Sequence, residues 1–147
     1  MSARLRALPT LMVASTGCAM TVLDTNIVAI VLPDIARDLN ASFAQVEWVI
    51  SAYVLCFASL LLPAGAIADR YGRKRVFLAG IAGFAVASLM CGMASSPSLL
   101  FVSRALQGVG AAFLLAPALA IIGHAFHDER ERDSAWAMWG GMMGLTM

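Results

Sequence analysis

Gly65-Ala-Ile-Ala-Asp69-Arg70-Tyr-Gly72-Arg73-Lys74-Arg75 lies between two apolar runs, each long enough to cross a bilayer. Five charges, four of them basic, fill a connector too short to be a domain. Lys and Arg beside a span resist translocation, so such a loop stays on the cytosolic side. The same eleven residues carry a small residue for close helix contact (Gly65), a carboxylate (Asp69), a turn glycine (Gly72) and a cluster of arginines. Gly72 suits a tight turn with positive φ. Asp69 can pair with Arg70 or Arg73, or face the positive end of a helix. Arg73 and Lys74 can also serve simply to fix topology.

Working outward, four apolar segments are long enough for a hydrocarbon core that needs about 20 helical residues. They fall near 9–33, 44–67, 76–94 and 99–123, and a fifth opens at Ala135 and stops at Met147. Its rise of 1.5 Å per residue gives only ~20 Å, short of the ~30 Å core, so the fifth span is expected to be incomplete. On this reading the chain is the N-terminal piece of a longer protein. Composition agrees: 61% of residues are hydrophobic and 13% charged, against roughly 45–50% and about 25% in soluble domains. The N-terminal Arg4 and Arg6 before an apolar run imitate a signal peptide, with Ser15-Thr-Gly-Cys18 as a cleavage-like site. That run continues to Pro33, too long for a signal core.

The positive charges order the loops. With the N-terminus inside, Arg4, Arg6, Arg70, Arg73, Lys74, Arg75, Arg130 and Arg132 share one side, and only Arg37 lies on the other. This asymmetry predicts a cytoplasmic N-terminus in a cell membrane, of the bacterial inner-membrane kind. The uncharged Ser95-Ser-Pro-Ser98 then forms an outer hairpin. Asn40-Ala-Ser42 spells a glycosylation acceptor, but Ser42 and Gln45 have capping-box spacing and mark a helix start, with Trp48 as an interfacial anchor. Trp136 and Trp139 suit the inner interface.

Two charges fall deep inside spans, where an ionisable group is a functional candidate by default. Asp24 sits ~24 Å from the inner start of the first helix, and Arg104 ~22 Å from the inner side on the fourth. The depths agree, and pairing removes much of the penalty for burying either charge alone. Gly17, Thr21 and Asp24 share one stripe of the first helix. Arg104, Gly108, Ala112, Ala116 and Ala120 recur every four residues in the fourth, and small residues let helices approach closely in lipid.

Other features read as scaffold. Cys18, Cys56 and Cys91 lie in apolar runs without metal-like spacing and act as small packing residues. His124 and His127 border the polar run 128–133, expected as a solvated loop, with docking to the basic loop as the lesser reading. Pro63 and Pro117 are tolerable kinks within membrane helices. The sequence holds no nucleophile–base–orienter set and no phosphate-binding loop. Neither a catalytic role, a metal, a cofactor nor a nucleic-acid partner is expected.

Three stretches resemble the major facilitator superfamily. The 65–75 loop is similar to the family's pattern Gly-x-Leu-x-Asp-Arg-x-Gly-Arg-Arg/Lys, matched by Gly65, Asp69, Arg70, Gly72, Arg73 and Lys74, with Ile67 in place of leucine. Residues 23–35, Leu-Asp24-Thr-Asn-Ile-Val-Ala-Ile-Val-Leu-Pro-Asp-Ile, resemble the first-helix signature of the fourteen-span drug:proton antiporter branch. Asn26 and Ala29 depart from that signature. Arg104-Ala-Leu-Gln107-Gly108-Val-Gly110-Ala-Ala resembles the fourth-helix motif linked with proton coupling. Gln107, Gly108 and Gly110 are taken as helix-packing members of that motif.

The resemblance implies an all-α membrane protein, with residues 1–147 a partial N-terminal helix bundle of such a transporter. It also implies proton-coupled efflux of small amphipathic molecules or drugs, with Asp24 and Arg104 as the coupling pair and the loop as a gate. The expected partners are the lipid bilayer, protons, a small-molecule substrate and the remaining helices of the same transporter. The 147-residue piece alone is expected to be inactive, because major facilitators place substrate between two six-helix halves. Two other classes compete: a small four-helix multidrug transporter acting as a dimer, and a non-transporting remnant or assembly subunit. Asp24, the charge asymmetry and the 65–75 loop argue against the four-helix class.

Overall fold

A computed structural model describes the backbone of residues 2–125 and 129–145, and within these the side chains of residues 12–121, 123, 133, 134, 136–141 and 144. The described residues form five helices in chain order: α1 (Ser2–Asp38), α2 (Phe43–Tyr71), α3 (Arg73–Gly92), α4 (Pro97–Ala125) and α5 (Glu129–Leu145). Four of them are long and apolar enough to cross a membrane. All are helical for one reason: lipid offers no partner for backbone N–H and C=O groups, so each segment must satisfy its own.

The helices overrun the apolar segments that announce them. α1 was expected near 9–33 and extends to Asp38, because its hydrogen-bond ladder continues past the lipid-like residues until a stop signal appears. That signal is Asn40, left-handed at φ 49°. Ala41 N–H donates to the Ala36 carbonyl at 2.9 Å and Asn40 N–H to Arg37 at 3.2 Å, the paired bonds of a Schellman C-cap. α2 then starts on a capping box. Ser42 Oγ accepts from Gln45 N–H at 3.3 Å and Gln45 Oε1 accepts from Ser42 N–H at 2.8 Å. Ser96 Oγ caps α4 similarly, accepting from Leu99 N–H at 3.3 Å.

The charged run 129–133, expected as a loop, forms the opening turns of α5. Glu and Arg are good helix formers, and an acidic residue beside a helix N-terminus meets the positive end of its dipole. The fifth helix therefore begins at Glu129, ahead of the expected Ala135. His127, Asp128 and Met147, with the side chains of His124, Arg130 and Arg132, lie outside the described residues.

α4 is the centre of the bundle and packs against α1, α2, α3 and α5. Half of its span is buried, against 17–28% for the other three. Burial on α4 is wider than a four-residue stripe: Ala111, Ala112, Leu114 and Ala118 are all closed off, because neighbours reach it from several sides. Three apolar clusters stack along the bundle. Leu32, Val49 and Leu100 gather at the end holding the 39–42 and 93–96 connectors. Tyr53, Phe84 and Ala111 fill the middle. Ala14, Cys18, Phe77, Leu114 and Ala118 close the other end. Trp139, expected at an interface, packs against this last cluster and meets Trp136 edge-on at 5.8 Å.

Close approach depends on glycine at three places. A Cβ on Gly80 would lie 2.5 Å from the backbone of Leu114, and one on Gly110 2.6 Å from Phe84 N. These two glycines seat α3 on α4. A Cβ on Gly108 would strike the Tyr53 carbonyl oxygen, so α2 rests directly on α4 there. Gly65 behaves differently from expectation: no atom among the described residues comes within 4 Å of where its Cβ would stand. It therefore makes no close helix contact among the described residues.

Candidate functional site

Asp24 of α1 and Arg104 of α4 are eighty positions apart and meet in the middle of the bundle. Arg104 Nη1 donates to Asp24 Oδ2 at 2.6 Å. Gln107, one helical turn beyond Arg104, closes the arrangement into a ring. Its Nε2 donates to Asp24 Oδ1 at 2.6 Å, and its Oε1 accepts from Arg104 Nη1 at 2.8 Å. Both carboxylate oxygens are thus held, one by a cation and one by an amide. The i, i+3 spacing of Arg104 and Gln107 places them on one face of α4.

Burial is unequal within the ring. Arg104 is 2% exposed and Gln107 fully enclosed, whereas the Asp24 side chain keeps 16% of its surface open. The carboxylate is therefore the most open member of the ring. Arg104 Nε is buried with no hydrogen-bond partner among the described residues, and the guanidinium lies over the ring of Tyr53, 4.3 Å from its centroid. Tyr53 stacks on Phe57, with centroids 6.1 Å apart and planes 8° from parallel. Cys91 of α3 adds a thiol that donates to Gln107 Oε1 at 3.4 Å. Four helices thus contribute to one site.

Along α1, the stripe of Gly17, Thr21 and Asp24 faces the bundle. Gly17 lies against the Phe77 ring and Leu114. Thr21 Oγ1 bonds the Cys18 carbonyl at 2.7 Å and Thr25 Oγ1 the Thr21 carbonyl at 2.9 Å, so neither hydroxyl is stranded in an apolar setting.

The 65–75 segment, expected as a loop, is the end of α2 and the start of α3 broken only at Gly72, because both hydrogen-bond ladders run on past the apolar residues; it forms a second constellation at the end of the bundle. Gly72 takes φ +99° between α2 and α3, a region where L side chains are strained. Asp69 Oδ1 accepts from Arg73 Nε at 3.0 Å and Nη2 at 2.8 Å. Of the two partners the sequence allowed, the structure selects Arg73, one turn away across Gly72. Arg70 lies over the Tyr71 ring, 5.6 Å from its centroid. Arg73 also donates from Nη1 to the Ala120 carbonyl at 3.2 Å, which ties the loop to the C-terminal part of α4. A cation there complements the negative end of the helix dipole. Lys74 sits in the first turn of α3.

The sequence reading missed Tyr53 and Cys91 as neighbours of the pair, and gave Gln107 a packing role where the structure gives it a polar one. A phenol and an amide at mid-span depth were the available signals, since each needs a polar partner in lipid. Gly108 and Gly110 make the close approaches already described.

A multi-pass bundle of apolar helices around one buried, partly open ion pair is the architecture of a membrane transport protein, in which intramembrane charges mark solute or proton paths. The chain belongs to the Major Facilitator Superfamily, whose family profile matches residues 14–147. It is 47% identical over 125 residues to the puromycin resistance protein pur8 of Streptomyces alboniger, covering 85% of this chain and 25% of that protein. It is 39% identical over 141 residues to the tetracenomycin C resistance and export protein of Streptomyces glaucescens, covering 96% of this chain and 26% of that one. The cephamycin export protein CmcT of Amycolatopsis lactamdurans is 39% identical over 140 residues, with 91% and 29% covered. The chain therefore spans about a quarter of the length of these curated relatives. Family membership sets aside the small four-helix multidrug class.

Proposed function

We propose that this chain is the N-terminal part of a proton-coupled exporter of small amphipathic molecules, of the fourteen-span antiporter branch, lying in a cell membrane with its N-terminus in the cytoplasm. The observation that carries the reading is the Asp24–Arg104–Gln107 ring, whose carboxylate alone is partly open. The names of the relatives, which describe resistance to or export of antibiotics, point to efflux. The eight-to-one distribution of Lys and Arg between the two sides supports the orientation.

Proton uptake by Asp24 cancels the charge that holds Arg104 Nη1 and weakens the ring. Release of the proton restores it. A bundle that rocks between two arrangements can present Asp24 to opposite sides of the membrane in turn, so that proton entry drives solute exit. The Asp69–Arg73 pair and its bond to Ala120 fasten the α2–α3 loop to α4. The gate is accordingly a clip on the inner side that favours one of these arrangements.

The test uses the transporter that carries this segment, in everted membrane vesicles with an imposed pH gradient. Asp24→Asn should abolish gradient-driven transport, measured per inserted molecule, while membrane insertion stays intact. Full transport by that variant would remove Asp24 from the coupling step.

A further inference from the structure

The guanidinium of Arg104 has two kinds of neighbour. At its edge, Nη1 meets the Asp24 carboxylate and the Gln107 amide oxygen. Across its plane lies the face of Tyr53 at 4.3 Å, well inside the reach of a cation–π attraction. Edge and face do not compete, so Arg104 engages both at once.

The ring of Tyr53 is itself fixed. It is 6% exposed and stacked on Phe57. Gly108 seats its backbone directly on α4. The ring therefore stays in place whether or not the carboxylate is charged.

We propose that Tyr53 is a positioning residue of the coupling site: its ring holds the Arg104 cation when Asp24 becomes neutral, and so makes the protonated state attainable. The proposal rests on the proton-coupling reading above. The two charge states of Asp24 use the ring unequally. While Asp24 is an anion, its charge offsets the field that Arg104 projects onto the ring, and the negative face of the ring mildly repels the carboxylate. Once Asp24 is neutral, the cation keeps only neutral hydrogen bonds at its edge, Nε has none among the described residues, and the ring supplies the remaining stabilisation. An interaction shifts an equilibrium only through such a difference between states. The titratable and charged groups that face this point among the described residues are Asp24 on α1, Tyr53 on α2, Cys91 on α3 and Arg104 on α4.

The experiment follows the infrared carboxyl band of Asp24 in the reconstituted full-length transporter as pH is varied, with Asp24→Asn identifying the band. Tyr53→Phe keeps an aromatic face and loses only the hydroxyl. Half-development of its band should fall at the parent's proton concentration. Tyr53→Leu should need a roughly threefold higher proton concentration, because the ring meets Arg104 in both charge states and only part of the cation–π contact differs between them. A graded series of ring-fluorinated phenylalanines at position 53 preserves shape while weakening the face. It should move the midpoint stepwise in the same direction, even if Tyr53→Leu folds poorly. An unmoved midpoint across the series, or a shift in Tyr53→Phe as large as in Tyr53→Leu, would overturn the inference. A parent protein without any titrating Asp24 band removes the coupling reading itself, and this inference with it.

Discussion

Breaking the buried ion pair from either side should cost unequal amounts, and breaking both sides together should cost less than the sum. Arg104 is 2% exposed and the Asp24 side chain 16%, with N and O only 2.6 Å apart. Opposite charges about 4 Å apart between centres attract by about 4 kcal/mol at an effective dielectric constant of about 20. Removing one partner of such a pair typically costs about 3–5 kcal/mol, because the survivor is left buried and uncompensated. Asp24→Asn leaves a closed-in cation, supported only by Gln107, Tyr53 and a neutral amide, so it should destabilise by about 3 kcal/mol or more. Arg104→Gln leaves a carboxylate that still touches open space and keeps the Gln107 donor, and its cost should be smaller, about 2 kcal/mol. The double variant places two amides side by side and should return to within about 1 kcal/mol of the parent, because no unpaired charge remains. Unfolding of the reconstituted protein by SDS in mixed micelles, followed by tryptophan fluorescence, measures all four corners of the cycle. Additive costs, or a larger loss in Arg104→Gln than in Asp24→Asn, would refute the reasoning.

Further outcomes rest on other parts of the structure. Gly80→Val should force α3 off α4, since contact at 2.5 Å must open to at least 3.4 Å, a displacement of about 0.9 Å. Overpacking of this kind costs about 1–3 kcal/mol, visible in the same unfolding assay. Gly65→Ala, by contrast, should leave the stability of this bundle unchanged, since nothing among the described residues lies within 4 Å. Ser42→Ala removes one half of the α2 capping box and should cost about 1 kcal/mol. Asp69→Asn should cost under about 1 kcal/mol, because the carboxylate is 63% exposed. In the transporter, its effect should appear in turnover more than in substrate affinity, measured by transport kinetics beside equilibrium binding.

Several features were legible in the sequence by itself, because they depend on what each residue carries and on its distance along the chain. Membrane-length apolar runs fixed the four spans. The basic residues clustered in the 65–75 loop set the alternation of sides, and the Ser42–Gln45 spacing marked the start of α2. Matching depths were enough to nominate Asp24 and Arg104 as partners, since rise along a helix axis follows from residue count alone. Rotation about those axes was decided only when the helices packed. Hydropathy does not say which face of α2 meets α4. Tyr53 therefore went unnoticed although its ring lies against Arg104, while Gly65 looked like a contact residue although it makes no close helix contact among the described residues. The choice of Arg73 over Arg70 by Asp69 likewise followed from the turn at Gly72, which carries Arg73 back over the carboxylate and within reach of the Ala120 carbonyl. Gln107 shows the limit most clearly: its place in a motif was visible in one dimension. Its hydrogen bond to Asp24 exists because α1 and α4 approach closely enough to leave the amide no solvent and two charged neighbours.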